Sequence, residues 1–471
     1  MSVIRGSRAH LVGALAVVAA MSPVITGCTD SSGDAEPTTT SAPTSSTAPD
    51  LTPELGDPEG TDARPPLADD VALPIVFVHG FAGSAQQYES QAMRFVANGY
   101  PQDRIIAWDH DGAGLDIDGY ATGVDQVIDD TLAEFEVDQV YLVGHSRGTF
   151  VGSKYLADPA HAAKVAKYVA IDGAPCVDVV PCLAPTQAQF PGQSHVEVAT
   201  SKESFAAQYE FLVGTPPEVV GIEPQKAPVV LSGRAVVFPA NNGRAGATLE
   251  VWAIDESTGE RIGTEPYDGL VLDADGGFGP LEVETGGHYE YVLSTDDSPI
   301  EHHLYLPPYE RSSDLVRLLS SEANGTTRTN TNVGDDHSAI VAMRMREWYS
   351  ADDPDLPGAD ADVLTVSTDG GAQVDVITDF VGNGGIGLHL HDDAATPGVS
   401  SLTPLPYFSE QPFQSGIDVF MPARPSAAGT LPTGTITLTS HPRGDAANPE
   451  VVNVPNWPSS THSISVVFSD H

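Results

Sequence analysis

The first half of the chain alternates short apolar runs with stretches of helical periodicity. The apolar runs have the length of buried strands and predict strands at 72–80, 104–108, 140–143 and 167–175. Residues with helical spacing follow them at 87–98, 123–136, 150–156, 159–164 and 202–213. Strands that alternate with helices predict an α/β fold with a parallel sheet, here over residues 71–222.

The pattern changes at about residue 223. Strand-like runs separated by Gly, Asn and Asp turns occur at 229–238, 247–255, 289–293 and 363–366. Helical periodicity returns only around 312–320 and 338–349. Short strands with frequent turns are typical of a β-sandwich or barrel. We therefore predict an all-β C-terminal region with one unit at 227–297 and a second at 298–471.

Ser146 lies at the centre of the α/β part, in the segment Gly144-His-Ser-Arg-Gly148. A predicted strand ends just before this segment and a predicted helix follows it. A strand, a tight turn and a helix with Gly-x-Ser-x-Gly at the turn form the nucleophile elbow of α/β-hydrolases. The pattern predicts that Ser146 is a nucleophile, against the alternative of an ordinary strand-to-helix turn.

A serine nucleophile needs a histidine base and a carboxylate that orients the histidine. In α/β-hydrolases the chain order is serine, acid, histidine. Asp172 ends the strand after the elbow, and His195 is the only histidine downstream of it in the predicted domain. Asp178 is the alternative acid. His145 is adjacent to the nucleophile, and we expect its side chain to point away.

The reaction also needs two backbone N–H donors for the developing oxyanion. One is expected from Arg147, the residue after the nucleophile, and the other from Phe81 on the early His79-Gly80-Phe81 loop. The side chains of Phe81 and Arg147 are secondary to this role, and His79 is expected to hydrogen-bond the loop.

The first 28 residues are typical of a bacterial lipoprotein signal. Arg5 and Arg8 precede an apolar run at 11–20, and Ile-Thr-Gly-Cys ends at Cys28, the predicted lipidation site. An ordinary cleaved signal peptide is the alternative. Residues 29–70 are rich in Ser, Thr, Pro and acids, which predicts a disordered tether. We expect an exported protein, anchored on the outer face of the cell membrane through Cys28 or secreted.

Composition narrows the choice of partners. The chain of 471 residues carries 65 acidic against 21 basic residues, a formal charge of −44, which excludes nucleic acid as a plausible partner. It contains three cysteines. Because export implies an oxidising environment, Cys176 and Cys182 are predicted to pair in a small disulfide loop rather than remain free thiols.

Several acidic and histidine-bearing segments have some likeness to metal sites. They are the loop at 109–119, Glu301-His302-His303, Asp335-Asp336-His337, and His389 and His391 beside Asp392 and Asp393. The loop has Tyr120 where a calcium loop needs its closing glutamate. Zinc needs three or four converging ligands, which sequence spacing alone does not show. We interpret these segments as solvated loop, polar surface or contacts of the substrate domain, and predict no metal and no cofactor.

The quoted motifs together resemble the archaeal-type long-chain lipases. The similar segments are 79–85, 91–100, 144–148, 171–173, 195–205, 298–300, 456–457, 462–464 and 468–470. The resemblance implies an α/β-hydrolase domain before a C-terminal β domain that packs against it and helps shape the acyl site. It also implies Asp172 as the acid, His195 as the base, and hydrolysis of acyl esters, including long-chain ones. The stretch between Asp172 and His195 is shorter than in that family.

The sequence thus predicts an exported serine hydrolase that cleaves carboxylic esters, a lipase acting on acylglycerols. A short-chain carboxylesterase or polyester hydrolase with the same triad is the first alternative. A non-catalytic surface binding lipoprotein is the alternative of another class. The expected partners are an acyl ester or lipid substrate and the membrane at Cys28, and the oligomeric state is not predicted.

Overall fold

The computed structural model describes residues 64–226, 228–296, 298–351, 360–378, 384–424 and 431–470. The predicted signal segment with Cys28, and the predicted tether up to residue 63, lie outside these ranges. Within them, no helix is long and apolar enough to cross a membrane.

The N-terminal part contains a five-stranded parallel sheet in the order β2-β1-β3-β4-β5. Its strands are β1 Ile75–Val78, β2 Ile105–Trp108, β3 Val140–His145, β4 Val165–Ile171 and β5 Cys182–Leu183. In β3 and β4 the last residues, His145 and Ile171, are register partners. The residues that follow them, Ser146 and Asp172, therefore leave the sheet at the same edge.

Helices cover this sheet and one short helix lies in the β region; most of the helices were predicted within a few residues. They are α1 Glu89–Ala97, α2 Ile117–Glu134, α3 Arg147–Leu156, α4 Pro159–Ala162, α5 Glu197–Thr200, α6 Lys202–Val213 and, in the β region, α7 Thr326–Thr329. Helix α2 begins six residues before its predicted start because Asp116 accepts from the Gly119 amide and caps it. Ser201 caps α6 in the same way, accepting from Ser204 N.

The C-terminal part is built from strands. They are β6 Val229–Val237, β7 Asn242–Gly243, β8 Thr248–Ala253, β9 Asp268–Val271, β10 Gly277–Val283, β11 Tyr289–Thr295, β12 Ser298–Tyr305, β13 Ser313–Ser320, β14 His337–Ser338, β15 Ile340–Trp348, β16 Val363–Thr368, β17 Val374–Asp375, β18 Gly385–His391, β19 Gln414–Asp418, β20 Met421–Pro422, β21 Thr435–His441, β22 Glu450–Pro455 and β23 His462–Val467.

An eight-stranded sheet organises this part, in the order β19-β18-β15-β23-β12-β11-β8-β9. One core forms where β8, β11 and β12 pack against β6, β10 and β13. A second core forms where β15, β18, β19 and β23 pack against β16, β21 and β22. The sheet thus combines strands from both predicted β units, and it carries two sandwich-like cores side by side.

The helical interpretation of 312–320 and 338–349 is wrong, because both segments are strands, β13 and β15. In β13, Val316 and Leu318 face the first β core while Leu315 packs into the core of the α/β domain. In β15, Ile340 and Met343 belong to different β cores. A strand that is covered on both faces loses its apolar–polar alternation, so its pattern no longer differs from that of a buried helix.

Candidate active site

Ser146 occupies a strained turn between β3 and α3. Its φ of 51° and ψ of −120° lie outside the regions that serine normally adopts. The Ser146 amide donates to Ile171 O at 2.9 Å, which ties the turn to β4. A Cβ on Gly148 would lie 2.0 Å from Val78 O, so the helix start approaches β1 too closely for any side chain there. These features agree with the predicted elbow and hold the serine at the end of the sheet.

His195 and Asp172 form a close pair beside this turn. His195 Nδ1 lies 2.6 Å from Asp172 Oδ2, and Gln187 N donates to Asp172 Oδ1 at 3.2 Å. Burial raises the pKa of Asp172, but the hydrogen bond and charge of His195 outweigh it, so the net pKa is lowered. Asp172 is therefore an ionised acceptor that fixes the Nδ1–H tautomer of His195 and leaves Nε2 free to take a proton.

Ser146 Oγ has no hydrogen-bond partner among the residues that the structure describes, so its approach to His195 Nε2 is not made in this conformation. The neighbouring residue nevertheless lies close to His195. His145, which precedes Ser146, has its ring centroid 4.6 Å from that of His195. Catalytic hydrogen bonds are often long in ligand-free structures and tighten when substrate binds.

The buried ring of His145 reaches the His195 segment. His145 Nε2 lies 3.0 Å from the backbone carbonyl of His195, and Gln87 Nε2 lies 2.8 Å from His145 Nδ1. Burial lowers the pKa of His145 to about 3, so the ring is neutral and donates from Nε2. It positions the backbone of His195, a role for which the sequence carried no signal.

The two predicted oxyanion donors, the amides of Phe81 and Arg147, belong to segments that meet at the elbow. Gly80, next to Phe81, packs so closely that a Cβ there would lie 2.9 Å from Ser146 Cβ. Within the described part of the chain, neither Phe81 N nor Arg147 N donates to a protein group. Both amides are thus left for a ligand, as an oxyanion hole requires.

The Arg147 side chain, treated as secondary in the sequence, is a buried structural link. Its guanidinium donates to the carbonyl oxygens of Gly80 at 3.3 Å, Asp111 at 2.8 Å and Gly112 at 3.0 Å. It therefore connects the start of α3 to the oxyanion loop and to the acidic loop at 109–119. His79 is buried and its Nδ1 lies 2.9 Å from Gly80 O, a contact within the loop of the kind expected for it.

Asp178 lies away from this pair. It is exposed, has no hydrogen bond among the described residues, and sits in the loop between Cys176 and Cys182. These cysteines form the predicted disulfide, with Cα atoms 5.8 Å apart. The geometry joins His195 to Asp172 and not to Asp178.

The C-terminal part binds the segment that carries His195. Glu347, on β15, accepts from Val196 N at 2.7 Å and from Glu197 N at 3.3 Å, and the Ser194 hydroxyl donates to the same carboxylate. The residues on both sides of His195 are thus fixed by one buried carboxylate. Because helix α5 begins at Glu197, Glu347 also satisfies amides of its first turn.

A buried ion network surrounds Glu347. Arg443 Nη2 lies 2.6 Å from Glu197 Oε2, and Arg443 Nη1 lies 2.7 Å from Asp362 Oδ2. Arg346 Nε lies 2.9 Å from Glu197 Oε1. Burial raises the pKa of Asp362, but nearby Arg344 and Arg443 outweigh it and hold this pKa at about 2. Asp362 is therefore a buried carboxylate paired with arginine, the arrangement in which a buried charge is tolerated.

Phe413, in the C-terminal part, stacks on the His195 ring. The two ring centroids are 6.2 Å apart, with an interplanar angle of 17°. A surface cleft beside Phe413 is lined by residues that include Pro404, Ser409, Gln411 and Gly416. The β region therefore borders the candidate site, and this border includes hydroxyl and amide side chains.

The histidine segments considered for metal binding have different surroundings. His337 pairs with Asp336 at 3.0 Å, and His389 stacks on Phe408 with centroids 3.9 Å apart. Among the described residues, one group gathers three potential ligand atoms, and it comprises Glu301, His303 and His462. It lies on the eight-stranded sheet rather than at the elbow.

Family models match three successive parts of the chain. A model described as serine aminopeptidase S33 matches residues 70–204, and one described as a lipase C-terminal domain matches 227–323. A further C-terminal domain model matches 326–471. These findings support an α/β-hydrolase of the lipase and esterase type that is followed by C-terminal domains.

Two similar proteins are non-heme chloroperoxidases. The one from Streptomyces lividans is 32% identical over 115 residues, covering 23% of this chain and 39% of the relative. The one from Burkholderia pyrrocinia is 33% identical over 113 residues, covering 22% and 38%. The chain thus spans less than half the length of either relative.

Solved structures with local likeness include a lipase from Bacillus licheniformis. It is 18% identical with a TM-score of 0.20, covering 34% of this chain and 58% of that one. An epoxide hydrolase from Mycobacterium thermoresistibile is 21% identical with a TM-score of 0.18, covering 22% and 33%. Likenesses this weak add nothing to the assignment of function.

Proposed function

We propose that this α/β-hydrolase is a serine ester hydrolase whose nucleophile is Ser146. The observation that carries the proposal is the His195–Asp172 pair, with 2.6 Å between Nδ1 and Oδ2, at the same sheet edge as the strained Ser146 turn. The unpartnered amides of Phe81 and Arg147 beside that turn support the same assignment. A base, an orienting carboxylate and oxyanion donors are the parts that acyl transfer requires.

In the proposed mechanism, Ser146 Oγ attacks the acyl carbonyl carbon and His195 Nε2 takes the hydroxyl proton. The carbonyl electron pair moves to oxygen, which accepts hydrogen bonds from the Phe81 and Arg147 amides. When this intermediate collapses, the ester C–O bond breaks and the alcohol leaves with the proton from His195. Water then attacks the acyl-enzyme by the same route and releases the carboxylic acid. Asp172 stabilises the imidazolium in each step.

We propose acylglycerols as the substrate class, with this protein acting as a lipase. The match of residues 227–323 to a lipase C-terminal domain supports this choice. A short-chain carboxylesterase is favoured by a different observation, because the cleft beside Phe413 is lined by Ser409, Gln411 and Gly416 rather than by an apolar surface. Long acyl chains need a large apolar surface, whereas short ones do not.

One assay tests both the Ser146 nucleophile and the substrate class. It measures turnover of p-nitrophenyl esters of increasing chain length and of emulsified triacylglycerol. We expect Ser146→Ala to lose about 10³-fold or more of the activity on every substrate, while Ser153→Ala on the same helix retains it. Undiminished turnover by the folded Ser146→Ala protein would overturn the nucleophile. A fluorophosphonate probe should label the wild type and not Ser146→Ala, and a wild type that stays unlabelled would favour a binding lipoprotein.

The chain-length series then separates the two substrate classes. Activity that rises toward long chains and on emulsions supports a lipase, and activity confined to short soluble esters supports a carboxylesterase.

Export and lipid attachment at Cys28 belong to the same proposal. A Cys28→Ala chain released from membranes that retain the wild type would support it.

A further inference from the structure

Three potential metal ligands converge on β12 and β23 in the eight-stranded sheet. These strands are parallel neighbours, with Glu301 opposite His462. His303 lies two residues beyond Glu301 and so projects from the same face of β12. His303 Nε2 lies 2.8 Å from His462 Nδ1, and Glu301 Oε2 lies 3.8 Å and 3.6 Å from these two nitrogens.

We propose that Glu301, His303 and His462 bind a divalent transition-metal ion of the Zn²⁺ type. Two imidazole nitrogens and one carboxylate oxygen are a ligand set that such ions accept. Tetrahedral ligands at zinc distances are about 3.3 Å apart. The three separations lie on both sides of that value, so small side-chain rotations would place all three atoms around one ion.

The surroundings of His303 support a ligand role. Its Nδ1 lies 2.7 Å from Glu290 Oε1, and Arg261 pairs with the other oxygen of Glu290 at 2.5 Å. A carboxylate that accepts from the far nitrogen of a histidine fixes the tautomer and makes the near nitrogen a better ligand. The Trp457 ring stacks on His303 with centroids 4.3 Å apart and limits the rotation of the imidazole.

The hydrogen bonds show how the ion would be accommodated. With Nδ1–H of His303 donated to Glu290, His303 Nε2 is an acceptor and His462 Nδ1 carries the proton that it accepts. Metal binding then requires only that the His462 proton moves from Nδ1 to Nε2, which frees Nδ1 as a ligand. The Glu301 side chain is 49% exposed, so the ion reaches the group from solvent and keeps water in its fourth position.

The site would link two family-matched regions. Glu301 and His303 belong to the region that matches a lipase C-terminal domain, and His462 belongs to the final matched region. A metal at this position stabilises the pairing of β12 with β23, and the proposal does not depend on the esterase activity. The ion would therefore raise the thermal stability of the folded chain without taking part in acyl transfer.

The proposal is tested by measuring Zn²⁺ binding to the full chain. The protein is purified, its tag is removed, and bound metal is stripped with chelator beforehand. We expect one equivalent by calorimetry and a rise in Tm of about 3 °C at a hundredfold excess over Kd. Co²⁺ should give the visible absorption of a tetrahedral site. His462→Gln and Glu301→Gln should weaken binding at least tenfold, while His441→Gln, on a separate strand, should match the wild type.

Two results would overturn the site: no Zn²⁺ binding by the wild type, or binding by both ligand variants with wild-type affinity. If His462→Gln does not fold by circular dichroism, Glu301→Gln decides alone, because its partly exposed carboxylate is not part of the core. Ester turnover should be the same with and without Zn²⁺, and a loss of turnover on chelation would contradict the structural role.

Discussion

Two histidine–carboxylate pairs in this protein have nearly the same geometry and different surroundings. His195 Nδ1 lies 2.6 Å from Asp172, and His303 Nδ1 lies 2.7 Å from Glu290. The His195 side chain is 28% exposed, and its Nε2 has no hydrogen-bond partner among the described residues, whereas His303 is fully buried and its Nε2 lies 2.8 Å from His462 Nδ1. The pair fixes the tautomer in both places. The group that faces Nε2 decides whether the ring is suited to proton transfer or to holding a partner strand.

The largest expected effect comes from the carboxylate of the first pair. Asp172→Asn should lower kcat about 10⁴-fold, because the amide no longer holds the tautomer and charge that His195 needs. Asp178→Asn is the matched control and should stay within about twofold. Short-chain ester kinetics on proteins checked by circular dichroism measure both. A loss confined to Asp178→Asn would make Asp178 the acid, and equal losses in the two variants would contradict a specific role for Asp172.

The second pair should be visible as stability rather than activity. Burial raises the pKa of Glu290, but its hydrogen bond with His303 and its ion pair with Arg261 outweigh burial and lower this pKa to about 2. A depressed carboxylate pKa gives stability that is present above the unfolded pKa and lost as the pH falls toward the folded value. The free energy of unfolding should therefore fall by about 3 kcal/mol from Glu290 between about pH 4.5 and 2.

Urea unfolding of metal-free protein across this pH range measures the effect. In Glu290→Gln the corresponding part of the pH dependence should be missing, and kcat at neutral pH should stay within about threefold of the wild type. A pH dependence that is unchanged in the variant would mean that Glu290 does not titrate as the pairing requires.

The smallest expected effect tests how the first pair is positioned. Glu347→Gln should lower kcat about 10- to 100-fold with little change in KM, because the His195 segment loses an oxygen acceptor and shifts. Glu450→Gln is the control, since Glu450 also accepts a backbone amide, from Ser469 N at 3.0 Å, and makes no hydrogen bond to the His195 segment among the described residues. A purely structural role for Glu347 would lower stability and leave kcat of the folded enzyme unchanged.

Local patterns explain why much of the α/β part was predictable. Ser146 was placed by a strand, a turn and a helix that are contiguous in the chain, and α6 was bounded by Ser201 at its start and Gly214 at its end. These signals depend on neighbours a few residues apart. The disulfide was predictable for the same reason, because Cys176 and Cys182 are only six residues apart.

Long-range packing explains what was missed. The role of Glu347 depends on a contact across 151 residues, and that of Arg443 on one across 246 residues. His303 and His462 are 159 residues apart, so the spacing around Glu301 gave no sign of the third ligand. Strands β13 and β15 looked helical because each is covered on both faces by parts of the chain that are far away in sequence.

The hydrogen bonds from the His195 segment to Glu347 on β15 also determine when the site can be completed during biosynthesis. A nascent chain that ends before residue 340 contains Ser146, Asp172 and His195 but lacks the carboxylate that binds the amides on either side of the histidine. Arg443, which pairs with Glu197 in the same segment, is synthesised later still. The hydrolase domain is therefore synthesised first, but its proposed acyl transfer would reach full rate only when most of the chain has been synthesised and folded.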